Sequence, residues 1–138
     1  MNNYTYTTKD SGKRREFDTK SIRESKEGRG RFDLIPPIVI ERFALLLERG
    51  CKKYPARNWE LGQPLSVYID SALRHTFQLL EGDNEEDHAT AVTFNMAAII
   101  HHRDMIDRNL LPNILDDLPK PVKDNEVSRS YDNTDKQS

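Results

Sequence analysis

Apolar residues in this 138-residue chain fall into three stretches at helical spacing, and proline and glycine separate them. Ile40, Phe43, Ala44 and Leu47 recur at intervals of one face of a helix, and Pro55 ends that stretch. A helix is therefore predicted from about Pro37 to Tyr54, with the proline in its first turn, where a missing N–H costs nothing. Ile69, Leu73, Phe77 and Leu80 mark a second helix from about Pro64 to Glu81, with Asp70, Arg74 and Gln78 as a polar row beside the stripe. Gly82 stops it. A third helix is predicted from about Asp87 to Arg108, with Asp87 or a neighbour accepting hydrogen bonds from its free N–H groups. Pro112, Pro119 and Pro121 leave room for one short helical turn between Ile114 and Leu118.

The expected fold is all-α: a compact bundle of three main helices with short extra helical turns. The domain organisation follows the distribution of charge. Residues 1–30 read as a polar, basic arm without a convincing strand, residues 31–118 as the helical domain, and residues 119–138 as a disordered polar tail. Hydrophobic residues make up 36% of the chain and charged residues 32%, so the core is smaller than the chain. A net charge of -2 argues against a binder of polymeric nucleic acid and favours a small ligand. Cys51 is the one cysteine, which excludes an intrachain disulfide and a thiolate cluster and fits a reducing cytoplasm; it is expected to be a buried thiol. With no signal peptide, lipidation motif or spanning apolar run in the sequence, a soluble protein without a membrane partner is expected.

Polar residues at the helix junctions carry the chemistry. The loop Lys52 to Glu60 combines Tyr54, Trp59, Asn58 and the cations Lys52, Lys53 and Arg57. Aromatic rings stack on bases, cations pair with phosphate, and an amide both donates to and accepts from a base edge. The same aromatics equally suit the lid of a core where two helices join. His88 and Asn95 are seven residues apart and share a face of helix three that is otherwise apolar through Val92 and Ile99. A short connection makes helices two and three antiparallel, which sets Arg74 and His75 opposite that face. Either a small polar cavity forms there or His88 and Asn95 are satisfied within the protein. His101 and His102 point about 100° apart and are expected on the solvated helix surface. Five acids between Glu81 and Asp87 offer oxygen ligands for Mg²⁺, or a wetted turn. No EF-hand loop, phosphate-cradling glycine loop, zinc spacing or nucleophile elbow is present in the sequence, which leaves metal-assisted attack by water or binding without chemistry.

An ordered series of motifs adds a resemblance. Ser11-Gly12, Arg15, Arg23, the run Gly28 to Pro37, Lys52-Lys53-Tyr54, Arg57-Asn58-Trp59, Ser71 to His75, Glu81-Gly82 and His88 to Asn95 follow one another over about residues 11–104. In this the chain resembles a phage-encoded family, the N-terminal domain of dATP/dGTP diphosphohydrolase. It is more distantly similar to all-α nucleoside-triphosphate pyrophosphatases of the MazG type. The resemblance implies an oligomeric helical protein that uses Mg²⁺ or Mn²⁺ to split a purine deoxynucleoside triphosphate into monophosphate and pyrophosphate, in the host cytoplasm if phage-encoded. It implies metal ligands at Asp70, Glu81 and Asp87, and catalytic groups at Arg74, His75 and His88. Substrate contacts would come from Arg15, Arg23, Arg29, Arg31, Lys53, Arg57, Asn58, Trp59 and Asn95. MazG-type enzymes carry Glu-Glu-x-x-Glu and Glu-x-x-Asp, where this chain has Asp70-Ser71-Ala72-Leu73-Arg74 and Asp87-His88-Ala89-Thr90-Ala91. With those carboxylates replaced, the alternative is a non-catalytic protein that sequesters a nucleotide or a host nucleotide signal. A homo-oligomer is expected to bury a face carrying Ile99, Ile100, Met105 and Ile106.

Overall fold

The computed structural model describes residues 6–121. The chain divides into two compact units, Met1–Pro37 and Ile38–Ser138.

The first unit departs from the expected extended arm. Strands β1 (Arg14–Glu16) and β2 (Ile22–Glu24) pair antiparallel, with Arg14 opposite Glu24, Arg15 opposite Arg23 and Glu16 opposite Ile22. The Phe17 N–H donates to Ser21 O at 2.9 Å and the Lys20 N–H to Phe17 O at 2.8 Å, closing a turn in which Lys20 takes a φ of 68°. Three-residue strands carry too little alternation to announce themselves in a sequence, and such a hairpin gains little from core burial. Ion pairs brace it instead: Asp10 with Arg14 at 2.6 Å, Lys13 with Glu27 at 2.9 Å, and Glu24 with Arg29. These pairs lie at the surface, with only Glu24 half-buried, so water screens them and they brace the hairpin weakly.

The second unit holds the helices: α1 (Pro37–Gly50), α2 (Leu65–Leu80) and α3 (His88–Asp107). Short 3-10 turns at Asn58–Leu61 and Asn113–Leu115 complete it. The helix ends follow the punctuation in the sequence. Asp87 caps α3, its side chain accepting from the Thr90 N–H at 3.2 Å. Ser66 donates from its N–H, at 2.9 Å, and from its hydroxyl to Asp117, so a carboxylate fifty-one residues away caps the first turn of α2. That contact and the packing of Leu118 against the core fix the chain after α3. Gly62, at φ 106°, lies so close to Leu115 that a Cβ there would meet its Cδ1 at 2.8 Å. The expected disordered tail falls outside the described residues from position 122 onward.

Helices α2 and α3 pack as an antiparallel pair, with Tyr68 beside His102, Ser71 beside Asn95 and His75 beside His88. Leu65, Tyr68, Ala98 and Ile99 form the core, and Trp59, Ile69, Phe94 and Leu118 close over it. The buried face of α2 is Leu65, Tyr68, Ala72 and His75. This corrects the expected stripe: Leu73 is exposed, as are Phe77 at 61% and Leu80 at 80%. The physical reason is hydrogen bonding and size. Tyr68 and His75 find polar partners on α3, and the small Ala72, Ala91 and Ala98 let two helices approach closely. No residue of α1 is buried, and Ile38, Val39, Ile40 and Leu45 are exposed although Phe43 meets Phe94 at 6.3 Å. On α3, Ile99 and Ile106 are already buried within the chain, which splits the face expected to meet another copy.

Two further expectations are corrected. Cys51 is exposed, because α1 ends one residue before it and its turn faces outward. His102 is 0% exposed, because the loop carrying Trp59 folds back over α3 and stacks on its ring at 6.1 Å.

Candidate functional site

A cavity of about 990 Å³ opens in the helical unit among α1, the end of α2 and the start of α3. Arg42 and Arg49 of α1 and Lys53 and Tyr54 of the following turn form one wall. His75, His88 and the acidic turn from Asp83 to Asp87 form the other. Cations at positions 42, 49 and 53 recur at helical spacing, which lays them along one side of α1 and its extension.

Two buried imidazoles meet at the base of this cavity. His75 Nδ1 and His88 Nδ1 are 2.9 Å apart, so one donates to the other. His75 Nε2 lies 3.4 Å from an Arg74 guanidinium nitrogen, which only donates; His75 therefore carries its proton on Nδ1 and gives it to His88. His88 then carries its own proton on Nε2, 3.3 Å from Asp83 Oδ1 but without hydrogen-bond alignment. Burial, and then the Arg74 charge, hold the His75 pKa below the ordinary histidine value. Its ring stays neutral. Glu86 Oε2 stands 3.8 Å from His75 Nδ1, and ligand atoms of His75, Glu86 and His88 all lie within 4.8 Å of one another.

The acidic turn is ordered by its own contacts. Asp83 accepts from the Glu85 N–H at 2.9 Å, and that bond, followed by His88, lowers its pKa. Asp87 is committed elsewhere: Arg42 holds both its carboxylate oxygens, one through Nε at 2.9 Å, and the Thr90 hydroxyl donates to it at 2.6 Å. The Arg42 guanidinium pins the Asp87 carboxyl far below the usual carboxylate range.

The structure brings some of the expected site residues together and disperses the rest. His75, His88, Asp87 and Lys53 reach the cavity. Arg74 touches His75 and Gln78 at its edge. Asp70 and Glu81 are exposed outside the cavity lining, and no cluster of three metal-ligating groups contains them among the described residues. Trp59 packs on Phe94 at 5.5 Å and on His101 at 5.1 Å, Arg57 pairs with Glu60 at 2.8 Å, and Asn58 opens the 3-10 turn between them. Asn95 is satisfied inside the protein, donating to Ala91 O at 2.8 Å and to the Ser71 hydroxyl at 3.3 Å. In the hairpin unit, Arg15 and Arg23 share a separate cavity of about 480 Å³ with Lys26, and Arg15 lies over the Phe17 ring at 4.7 Å. Arg29 and Arg31 are taken up by Glu24 and Asp33. Glu86 belongs to the acidic turn that the sequence offers for a metal, whereas Arg42 and Arg49 are not among the expected site residues, although the spacing of Arg42, Arg49 and Lys53 is visible in the sequence.

Hard Mg²⁺ wants oxygen ligands in near-octahedral array. Asp70 and Glu81 do not join Asp87, whose oxygens Arg42 occupies, so these three residues do not fit a Mg²⁺ cage.

Fold and site together define a small helical domain whose cavity sets histidines and carboxylates against a cationic wall. The family model for the dATP/dGTP diphosphohydrolase N-terminal domain matches residues 19–109, and the chain belongs to that family. Comparison with curated proteins and with solved structures returns no match. Among the described residues, no helix is long and apolar enough to cross a membrane.

Proposed function

We propose that the chain binds a purine deoxynucleoside triphosphate, dATP or dGTP, in the cavity between α1 and the α2–α3 turn and splits it to monophosphate and pyrophosphate. The observation that carries this reading is the meeting, in one cavity, of the His75–His88 pair and acidic turn with the cations Arg49 and Lys53. A polyanion needs the cationic wall, and its hydrolysis needs the wall of carboxylates and histidines. Arg49 and Lys53 hold the phosphates, and Arg42 stays with Asp87. Water attacks the α-phosphorus, the bond to the bridging oxygen breaks, and the electron pair leaves with pyrophosphate. A carboxylate of the acidic turn takes the water proton, because the facing Nδ1 atoms of His75 and His88 are engaged with each other. A divalent ion such as Mg²⁺ or Mn²⁺ supplies, when bound, charge neutralisation at the phosphates.

A second reading has a specific observation behind it. Of the three metal carboxylates that the family resemblance implies, Asp87 alone reaches the cavity and its pairing with Arg42 occupies it, which favours a protein that sequesters the nucleotide without turnover. Incubation with each deoxynucleoside triphosphate and Mg²⁺ or Mn²⁺, followed by assay of pyrophosphate and monophosphate, separates the two. Release of both products from dATP or dGTP supports hydrolysis, whereas tight, metal-independent binding without products establishes sequestration.

Exposed Leu73, Phe77 and Leu80 on α2, and Ile38, Val39 and Leu45 on α1, form apolar surface suited to a second copy of the chain, so we propose a homo-oligomer. A light-scattering mass of one chain at micromolar concentration contradicts it. The site of action is the cytoplasm, that of the host if a phage encodes the chain.

A further inference from the structure

We propose that His75, His88 and Glu86 form a binding site for a divalent transition ion of the Zn²⁺ class, which Mn²⁺ can also occupy, distinct in its ligands from an all-carboxylate Mg²⁺ cage. The site deepens the functional reading above, since it lies in the same cavity, but its evidence is separate. Two nitrogens bound to one ion at about 2.0–2.1 Å stand about 2.9–3.4 Å apart for angles between octahedral and tetrahedral. His75 Nδ1 and His88 Nδ1 are 2.9 Å apart, with Glu86 Oε2 at 3.8 Å from the first. The two imidazole nitrogens already stand at that spacing, and the exposed Glu86 side chain needs to swing inward to close on an ion.

His88 supplies the second observation. It is 2% exposed, and its buried Nε2 has no aligned hydrogen-bond partner, a cost that a buried polar atom seldom carries without a reason. Asp83 Oδ1 stands 3.3 Å behind that nitrogen. A carboxylate behind the far nitrogen is how ligating histidines are commonly oriented and made more basic. When the near nitrogen takes an ion, the Nε2 proton becomes more acidic and its attraction to Asp83 strengthens.

The donor set decides the class of ion. Two imidazoles and one carboxylate suit Zn²⁺ and its neighbours, Mn²⁺ accepts the same set more weakly as the lowest of the first-row series, and Mg²⁺ prefers oxygens and keeps its waters. Three protein ligands leave positions open toward the cavity, where Arg49 and Lys53 stand ready for phosphate oxygens. Binding requires a lone pair on both Nδ1 atoms. The proton that joins them therefore moves to His75 Nε2, and the exposed Arg74 swings away from its 3.4 Å contact there. No net proton is released by that shift.

The test uses the full chain without nucleotide: Mn²⁺ and Zn²⁺ binding by calorimetry, and bound Mn²⁺ by its paramagnetic resonance spectrum. One ion per chain is expected at micromolar concentration, with Mg²⁺ at least a hundredfold weaker. His88→Ala should lose at least a hundredfold in affinity. Glu86→Gln, at an exposed side chain that folding does not need, should lose about tenfold. Unchanged binding in Glu86→Gln and in folded His88→Ala, Mg²⁺ binding as tight as Mn²⁺, or no binding at millimolar Mn²⁺ and Zn²⁺ each overturn the site. Because the binding test uses no nucleotide, it is independent of turnover: a metal-loaded chain that, when then given dATP or dGTP, releases no pyrophosphate refutes hydrolysis and leaves the metal site standing.

Discussion

Helix α3 buries a histidine near each end, and the two are held in opposite ways. His102, near the C-terminal end, has every ring nitrogen engaged: Nδ1–H donates to Ala98 O at 2.7 Å, and Nε2 accepts from the Gln63 N–H at 3.3 Å, with the Tyr68 hydroxyl also at 3.3 Å. Aromatic rings of Trp59, Tyr68 and His101 surround it. His88, at the first turn, has one bond, to a second histidine, and an unaligned nitrogen facing a carboxylate beside an open cavity. A saturated buried histidine stabilises the fold. One with spare capacity beside a cavity is available for a ligand, and burial by itself does not separate the two.

The strongest test of this contrast exchanges the two sites. His102→Ala should destabilise the protein by about 3 kcal/mol, since it opens a cavity and strands Tyr68 and the Gln63 N–H, while Mn²⁺ affinity of the folded fraction stays the same. His88→Ala should cost about 1 kcal/mol of stability and at least a hundredfold in Mn²⁺ affinity. Urea denaturation and calorimetry read both, and equal stability losses would erase the distinction. Replacing Arg49 and Lys53 together by Ala should weaken triphosphate binding by about 10–100-fold, at about 1 kcal/mol per charge-assisted contact, with no shift in melting temperature. Both side chains are exposed and neither has an ion-pair partner among the described residues. Tyr68→Phe removes one hydroxyl from the saturated cluster and should cost about 1 kcal/mol, leaving metal binding untouched.

The smallest effect is a pH dependence confined to the saturated site. Burial is the main cause holding the His102 pKa below the ordinary histidine value. Because the folded value is the lower one, the stability His102 contributes is complete above the unfolded pKa of about 6.5 and is lost as pH falls through the folded pKa. The stability difference between wild type and His102→Gln should therefore be constant above neutrality and shrink toward pH 5. A difference that grows as the solution is acidified would contradict the neutral, buried assignment.

The sequence was most legible where its chemistry is local. Pro37, Gly82 and the Asp87 cap place the helix ends within a few residues of the observed ones, because capping and proline geometry act over a single turn. The facing of His75 and His88 also followed, since a short turn makes α2 and α3 antiparallel. What failed depended on distant partners. Leu73, Phe77 and Leu80 have helical periodicity yet face outward, because the α2–α3 contact is decided by Tyr68, Ala72 and His75 and their partners on α3. His102 reads as solvated in the sequence, because nothing near it reveals that Trp59 folds over it. The loop from Lys52 to Glu60, a single recognition patch in the sequence, is divided in three dimensions: Lys53 and Tyr54 line the cavity, and Trp59 closes the core. The hairpin escaped notice since its strands are short and charged.

The claim on which the rest depends is that the cavity of His75 and His88, and not the cluster of Trp59 and His102, receives the nucleotide. Backbone and imidazole resonances followed by NMR during titration with α,β-methylene dATP, which cannot be split at that linkage, test it directly. The account predicts the largest shifts at Arg49, Lys53, His75 and His88, with His102 and Trp59 little changed. Shifts centred on Trp59, His101 and His102, with His75 and His88 silent, would contradict it.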